Sequence, residues 1–591
     1  MKVQSFCFFV LWASFALSAK QAPNILLIMV DDTGREFYNN YGSKENLTPQ
    51  IQKLAEESVL FTNCESTPIC TPSRVKIMTG RHTFANYTKF GRLDKGSKTF
   101  AQLLKTQGYR TGIFGKWQLS SDKGSVAEFG FDEHCLHNYL EDKSLGKSRF
   151  WKPTLTTNDE IKEYGSKDFG PDILNQKLLE FISADKKKPF LAYYPMVLAH
   201  FPFVPTPDSR DLQSRDWDSN FRDMVAYTDK LVGKVIDHLK QQGIYDNTLI
   251  IFTADNGTYP GLMNTLKDGS QVYGGKSMGN KRAGNWVPLI ARMGNKEAKV
   301  CDRLVDFTDI LPTLAESANI TVPKQYDNHG FSFLGDLKGK PTSKDYQLAF
   351  YPSVSMRIDN ASLYVRNKNY KYYPDDYLID IDNDPEELSP LYAHEDDKIL
   401  AQIRQELSAE LEQKLLQFPL LKKKWQSIRE QFKGKIIGAW DSSEVAFHET
   451  RSLSLDVSEF VKNNHPSFEI FHRRGYAMAE VSGVRLLKNG VELVRDDHVS
   501  SSGMAIFDRS AGADYVFFSL KHKTQYDFRF DTYEAANYRL EYDVKVLPIE
   551  EYKDKITIPL GQFLKSESHK KIENKAGTVR YRSSGVIRVL D

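Results

Sequence analysis

Cys70, Thr71, Pro72, Ser73 and Arg74 place a soft nucleophile, two hydroxyls and a guanidinium in consecutive positions. Pro72 suits the first position of a helix, where its missing N–H costs nothing. Thr71 is then the expected N-cap, and Gly80 suits the residue just past the helix end. Cys70 is thereby expected at a helix N-terminus, where free N–H groups and the dipole favour an anion. Arg74 lies four residues on, on the same face. A reactive sulfur would then sit beside an anion site and a bidentate cation. The same stretch reads equally well as an ordinary buried cysteine before a helix.

Oxygen ligands gather at the ends of two apolar runs. Asn24 to Val30 is continuous and apolar and ends in Asp31-Asp32. Adjacent carboxylates repel, and a hard cation would relieve that; a solvated pair in a loop is the other reading. Thr248 to Ala254 repeats the pattern and ends in Asp255-Asn256-Gly257. A set made of Asp31, Asp32, Asp255 and Asn256 is all oxygen, which suits calcium, then magnesium, and argues against zinc. Lys116 follows a short strand candidate, Gly108 to Phe114. His200 follows another, Pro189 to Tyr194. Lys276 closes a Gly-Gly-Lys loop. Taken singly, each of these three is an ordinary solvated or structural group.

Runs this apolar suit strands buried on both faces, as in a parallel sheet. In open α/β sheets the ligand crevice lies beyond the carboxyl ends of the strands. Helices are expected over Leu47–Val59 (cap Thr48), Phe100–Gln107 and Asp218–Gln241. The stretch Ser120 to Gly170 has no clear period and is expected to help form the rim of a site. From about Thr342 the character changes, with a hairpin over Tyr364–Tyr372 and an amphipathic helix over Leu400–Leu415. Leu421 to Lys435 is basic and reads as a linker. Short strand candidates follow at Arg451–Val457, Ala477–Leu487, Tyr515–Leu520, Tyr538–Val546 and Gly585–Leu590, which suggests a β-sandwich. Val484 to Leu493 loosely resembles galactose-binding-like modules, and a purely structural cap fits as well.

The chain has 591 residues, 40% apolar and 26% charged, enough for a large core and more than one domain. A net charge of +2 gives no global field to steer a polyanion and no support for nucleic-acid binding. Lys2, the apolar run Phe6 to Leu17 and Ala16-Leu17-Ser18 read as a secretory signal over 1–19, which places the mature chain in the periplasm or outside the cell. That run is shorter than the roughly 20 residues a bilayer span needs, and no other span is visible. Cys64, Cys70, Cys135 and Cys301 then remain, too few for a disulfide framework, with room for one unassigned bridge.

Cys70-Thr-Pro-Ser-Arg74 followed by Thr79-Gly80-Arg81 resembles the signature of the type I (formylglycine-dependent) sulfatase family of the alkaline phosphatase superfamily. The likeness covers about Pro23 to Phe418. It implies an alkaline-phosphatase-like α/β sandwich, with a large mostly parallel sheet between helices over 20–341 and a helix over Leu304–Ser317 near its end. A small C-terminal α+β subdomain over 342–430 and an appended β-sandwich module over 431–591 would follow. It also implies that Cys70 is oxidised to formylglycine by a maturation enzyme, and that Asp31, Asp32, Asp255, Asn256 and residue 70 hold a divalent metal. Arg74, Lys116 and Lys276 would neutralise nucleophile and sulfate, and His200 would contact sulfate and protonate the leaving oxygen. The covalent sulfate would then be eliminated to restore the aldehyde. Gln118 departs from the pattern, because Gly115-Lys116-Trp117 is followed in the family by histidine. Glutamine hydrogen-bonds but takes no proton at neutral pH.

The expected function is therefore hydrolysis of sulfate esters, of a sulfated carbohydrate given the exported chain and its β-module. Two alternatives share the residues: a formylglycine-dependent phosphodiester or phosphonate hydrolase, and a non-catalytic sulfated-glycan-binding protein.

Overall fold

The computed structural model describes residues 22–590 apart from 138, 141, 143, 186, 278–281, 295–296, 352–361, 375–376, 386, 388–390, 392–397, 424–425, 427–434, 442–447, 475–476, 510–511, 520–524 and 549–583. The signal expected over 1–19 and most of the basic linker lie outside the described residues.

Twelve strands form the first part of the chain: β1 (Asn24–Val30), β2 (Val59–Glu65), β3 (Arg110–Lys116), β4 (Glu133–His137), β5 (Thr154–Thr157), β6 (Glu160–Glu163), β7 (Phe190–Pro195), β8 (Thr248–Ala254), β9 (Met263–Thr265), β10 (Gln271–Tyr273), β11 (Leu289–Met293) and β12 (Lys299–Asp306). Ten of them make one sheet in the order β12-β2-β11-β8-β1-β7-β3-β4-β5-β6, with β9 and β10 a separate hairpin. β8, β1, β7, β3 and β4 run parallel. Every residue of β1, β7 and β8 is buried, which is why their sequences are unbroken apolar runs. β11 runs antiparallel to both neighbours, and β5 and β6 close the far edge antiparallel. Around the sheet, helix Trp217–Gln241 packs on Pro49–Ala55 and Gly170–Ala184, while Cys70–Thr79 packs on Phe100–Lys105 and Ile310–Ser317.

Local chemistry moved several expected boundaries. The helix expected over Leu47–Val59 is confined to Pro49–Ala55, and Val59 already starts β2. Leu304 to Asp306 belong to β12, parallel to β2, not to a helix. Asp306 turns the chain there: its carboxylate accepts the Thr308 N–H while Asp309 accepts the Asp306 N–H, and the helix runs Ile310–Ser317. The N-cap of the Cys70–Thr79 helix is Ile69, not Thr71. Thr71 lies inside the first turn, and its hydroxyl accepts the Gly91 N–H. Gly80 ends the helix as expected, at φ 66°, where a side chain would be strained. The four described cysteines are all free, so the bridge left open by the sequence is not formed among them.

A second sheet follows, β13 (Gln347–Tyr351), β14 (Ser362–Arg366), β15 (Tyr370–Tyr373) and β16 (Tyr377–Asp380), all antiparallel and backed by helix Lys398–Gln417. The expected hairpin is β14–β15. Beyond it two antiparallel sheets share one core, with Trp440, Phe468, Ile470 and Ile587 from one packing with Val481, Leu486, Leu540 and Val544 from the other.

Glu65, at the end of β2, ties the first two sheets together. Its carboxylate accepts from Arg366 Nη1 (2.7 Å), Trp286 Nε1 (2.7 Å), Gln347 Nε2 (2.8 Å), Tyr351 Oη (3.0 Å) and Tyr364 Oη (3.2 Å). Burial would raise its pKa, but Arg366 and Lys371 outweigh that and keep it ionised. Removing one partner of a buried pair strands the other charge. Arg366→Met is therefore expected to cost about 3–5 kcal/mol, seen as a lower unfolding midpoint, and adding Glu65→Met should recover part of the loss.

Candidate active site

The parallel strands deliver polar residues to one edge because the chain turns polar where each strand ends. Asp31 and Asp32 follow β1, Asp255 and Asn256 follow β8, Lys116 ends β3, and His200 follows β7 by a short turn. Backbone bonds hold these ends in place. The Asp31 N–H donates to Leu198 O (2.8 Å), the Ala199 N–H to Asp31 O (2.8 Å), and the Asp255 N–H to Val30 O (2.9 Å). Gly115 is required at its position: at φ 138°, a Cβ would meet Pro195 O at 1.8 Å.

Nine of the ten residues singled out by sequence meet in one buried network. Lys116 Nζ donates to both oxygens of Asp31 (2.8 and 2.7 Å). Lys276 Nζ donates to Asp32 Oδ2 (2.6 Å). Arg74 Nη2 donates to Asp255 Oδ2 (2.8 Å), and its Nη1 donates to the Lys116 carbonyl (3.0 Å). Asn256 Nδ2 donates to Asp32 Oδ1 (2.8 Å), and the Asp32 N–H reaches Asp255 Oδ1 (3.2 Å). Cys70 Sγ stands 3.6 Å from Asp31 Oδ1 and 3.6 Å from Asp32 Oδ1. His200 Nε2 lies 3.3 Å from Lys276 Nζ and 3.5 Å from Asp32 Oδ2, while its Nδ1 lies 2.6 Å from the Phe201 carbonyl. That carbonyl takes the ring proton, so Nε2 carries the lone pair that accepts from Lys276. Gln118, two residues past Lys116, is buried at φ 55° and joins none of these bonds; its Oε1 has no partner.

The charges decide the protonation states. Burial alone would raise Asp31 and Asp32, but Lys116 and His200 hold Asp31 well below the usual carboxylate range, and His200 and Lys276 lower Asp32. Asp255 goes the other way, to about 7, pushed by burial and by Asp31 against the pull of Arg74. Burial lowers His200 to about 3, Asp32 opposing and Lys276 assisting. The Cys70 thiol is pushed well up, by burial and then by Asp255. A thiolate is thus disfavoured where two carboxylates face the sulfur, so residue 70 is ill placed to act as an ordinary cysteine nucleophile.

Part of this network could hold a metal ion. Asp31, Asp32, Cys70 and His200 offer ligand atoms all within 4.8 Å of one another. Asp255 falls outside that group and is taken up with Arg74 and the Asp32 amide. Asn256 Oδ1 is buried with no hydrogen-bond partner, an orphaned oxygen beside ionised carboxylates.

The sulfatase family profile matches residues 23–320. The chain belongs to the sulfatase family. With it comes the class of sulfuric ester hydrolases. This sulfatase is 26% identical over 425 residues to human arylsulfatase H, covering 56% of this chain and 75% of that protein. It is 24% identical over 395 residues to the ulvan-active sulfatase of Formosa agariphila, covering 59% and 72%. The solved structure of Ps i-CgsB in complex with k-i-k-neocarrahexaose matches with a TM-score of 0.54 and 25% identity, over 66% of this chain and 92% of that one. A protein solved with its substrate D-glucosamine-2-N,6-O-disulfate shares the fold, with a TM-score of 0.54, 19% identity and coverage of 68% and 98%. No helix among the described residues is long and apolar enough to cross a membrane.

Two residues near this network carried no signal in the sequence reading. Arg149 brings Nη1 to 3.9 Å from Asp31 Oδ2. His137 ends β4 in register with Lys116. Both lie in the stretch without clear period. Recognising Glu133–His137 as one more parallel strand would have put His137 at a carboxyl end like the others.

As a thiol, Cys70 is expected to react with iodoacetamide more than about tenfold slower than a free cysteine in the folded protein, and at the ordinary rate once unfolded. Peptide mapping of native and denatured samples checks this.

Proposed function

We propose that this sulfatase hydrolyses sulfate esters of a carbohydrate, as an exported enzyme, with residue 70 converted to formylglycine and a divalent cation, calcium before magnesium. The observation that carries the reading is Cys70 at the start of its helix, 3.6 Å from the carboxylates of Asp31 and Asp32, with Arg74, Lys116 and Lys276 closing the ring around them. An ulvan-active relative and a neighbour solved with k-i-k-neocarrahexaose support the carbohydrate class. The sheets beyond residue 342 read as the small subdomain over 342–430 and an accessory β-sandwich over 431–591.

Asp31, Asp32, Asp255 and Asn256, with residue 70, would hold the cation, whose bound charge polarises a sulfate oxygen and acidifies the nucleophile. Conversion of Cys70 supplies a hydrated aldehyde in place of an unreactive thiol. Arg74 Nη2, Lys116 Nζ and Lys276 Nζ are the donors for charge on the sulfuryl group, in a site dry enough to make each bond count. His200 Nε2 is the atom that hands a proton to the leaving alcohol. Burial keeps that ring neutral in the network described, and an arriving sulfate places negative charge beside it, which favours the protonated form. Gln118 orients but moves no proton. The proton acceptor for the elimination step is then another group, a carboxylate of the metal site such as Asp255 or a water.

A desulfation screen over defined sulfated oligosaccharides tests the function. Release of inorganic sulfate by the matured protein, and none by Cys70→Ala, is expected. Release from phosphodiesters instead would put the phosphodiester reading ahead, and binding without release would put the lectin-like reading ahead.

Exhaustive chelation should abolish turnover, and calcium should restore it better than zinc, because the ligand set is all oxygen. Asp255→Ala should lose bound metal and turnover together, as metal analysis alongside the assay would show.

Gln118→Ala is expected to lower kcat by about 10- to 100-fold, the scale of an orienting hydrogen bond worth about 1.5–3 kcal/mol near charge. Gln118→His should remain active and add an ionisation to the pH–rate profile.

A further inference from the structure

Two buried polar atoms beside Lys116 have no partner inside the protein. One is Nη1 of Arg149. It lies 3.9 Å from Asp31 Oδ2, beyond hydrogen-bond reach, while Asp31 is already held by Lys116 at 2.7 Å. The other is Nδ1 of His137, a residue only 7% exposed. His137 and Lys116 are register partners on parallel neighbours, so their side chains leave the sheet on the same face, the face on which Lys116 reaches Asp31.

Their hydrogen-bond chemistry differs. The open ring nitrogen of His137 can donate or accept, according to the tautomer. Burial, with Arg149 and Lys116 nearby, keeps that ring neutral. Arg149 can only donate. It is also the surplus charge of the site. Arg74, Lys116 and Lys276 each contact one of Asp255, Asp31 and Asp32, at 2.8, 2.7 and 2.6 Å. Arg149 is a fourth cation with no carboxylate at hydrogen-bond distance among the described residues, and burial lowers its pKa. Its segment is held in place: the Gly170 N–H donates to Phe150 O (2.8 Å), the Lys152 N–H to Asp168 O (3.1 Å), and Trp151 Nε1 to Pro205 O (2.8 Å). A buried guanidinium donor and a buried ring nitrogen, both left open and close enough for the charge of one to act on the other, call for a ligand that bonds to each.

We propose that Arg149 and His137 form a substrate-reading pair in the sulfate pocket: Arg149 donates to an oxygen of the substrate's sulfate, and Nδ1 of His137 hydrogen-bonds a hydroxyl of the sugar that carries it. This rests on the reading of the substrate as a sulfated carbohydrate. The pair would favour sugars with a free hydroxyl near the ester over aryl sulfates, which have none.

Calorimetry on the full-length Cys70→Ala protein, which binds without turnover, separates the two roles. The probes are inorganic sulfate and the defined sulfated oligosaccharides. Arg149→Gln is expected to weaken binding of both by about tenfold or more, as loss of a charged hydrogen bond does. His137→Phe is expected to weaken the oligosaccharides by about tenfold and leave inorganic sulfate within about twofold. His137→Gln, whose amide still hydrogen-bonds, should recover part of that loss. Unfolding midpoints close to the parent protein show that each variant folds. Unchanged sulfate affinity in Arg149→Gln overturns the proposal. So does an equal effect of His137→Phe on the two kinds of probe. Failure of the hydrolytic reading is a separate result, read from sulfate release by the matured wild-type protein, and leaves the binding comparison intact.

Discussion

Three carboxylates share one buried pocket, and everything around them follows from balancing their charge there. Asp31, Asp32 and Asp255 are inaccessible to solvent. Unpaired, such groups would take up protons, since burial of an isolated charge costs far more than protonation. Each instead meets a cation at contact distance, Lys116, Lys276 or Arg74. Asp31 and Asp32 stay ionised as a result, while Asp255, crowded by Asp31, is left near neutrality. The same arrangement that supplies anionic oxygen ligands also denies Cys70 a thiolate. A cysteine in this position makes chemical sense as the precursor of something else.

Holding such a ring requires elements that do not give. The carboxylates sit on the ends of central parallel strands, β1 and β8, whose neighbours fix them by backbone bonds. The helix that carries Cys70 and Arg74 is buried along its whole length and is anchored from behind by an ion pair between Lys76 and Asp306. Burial would raise Asp306, yet Lys76 and His82 hold it down at about 2. Gly115 lets β3 approach Pro195 closely enough for Lys116 to reach Asp31. On the outer side Glu65 locks β2 to the second sheet, so the catalytic layer and the small sheet are mechanically one unit.

Much of this was legible because fully buried strands leave a plain trace: apolar runs that stop abruptly at Asp31 and Asp255. The helix stop at Gly80 was legible for a similar reason, since few residues other than glycine accept that backbone conformation. Thr71 misled because a hydroxyl before proline looks like a cap, whereas Ile69 fills that place and Thr71 serves the Gly91 amide. Leu304 to Asp306 misled because an apolar strand end runs straight into an apolar helix, and periodicity cannot divide them. Arg149 and His137 were invisible for a deeper reason. One sits on an irregular segment and the other on a strand of five residues, and only tertiary packing brings either near Asp31.

The central claim is that residue 70 works as an aldehyde and not as a thiol. Mass spectrometry of the peptide containing residue 70, taken from preparations of graded sulfatase activity, tests it most directly. The account predicts that sulfur is replaced by oxygen with loss of two hydrogens, and that the converted fraction rises in proportion to activity. A fully active preparation in which Cys70 is an intact thiol would contradict it.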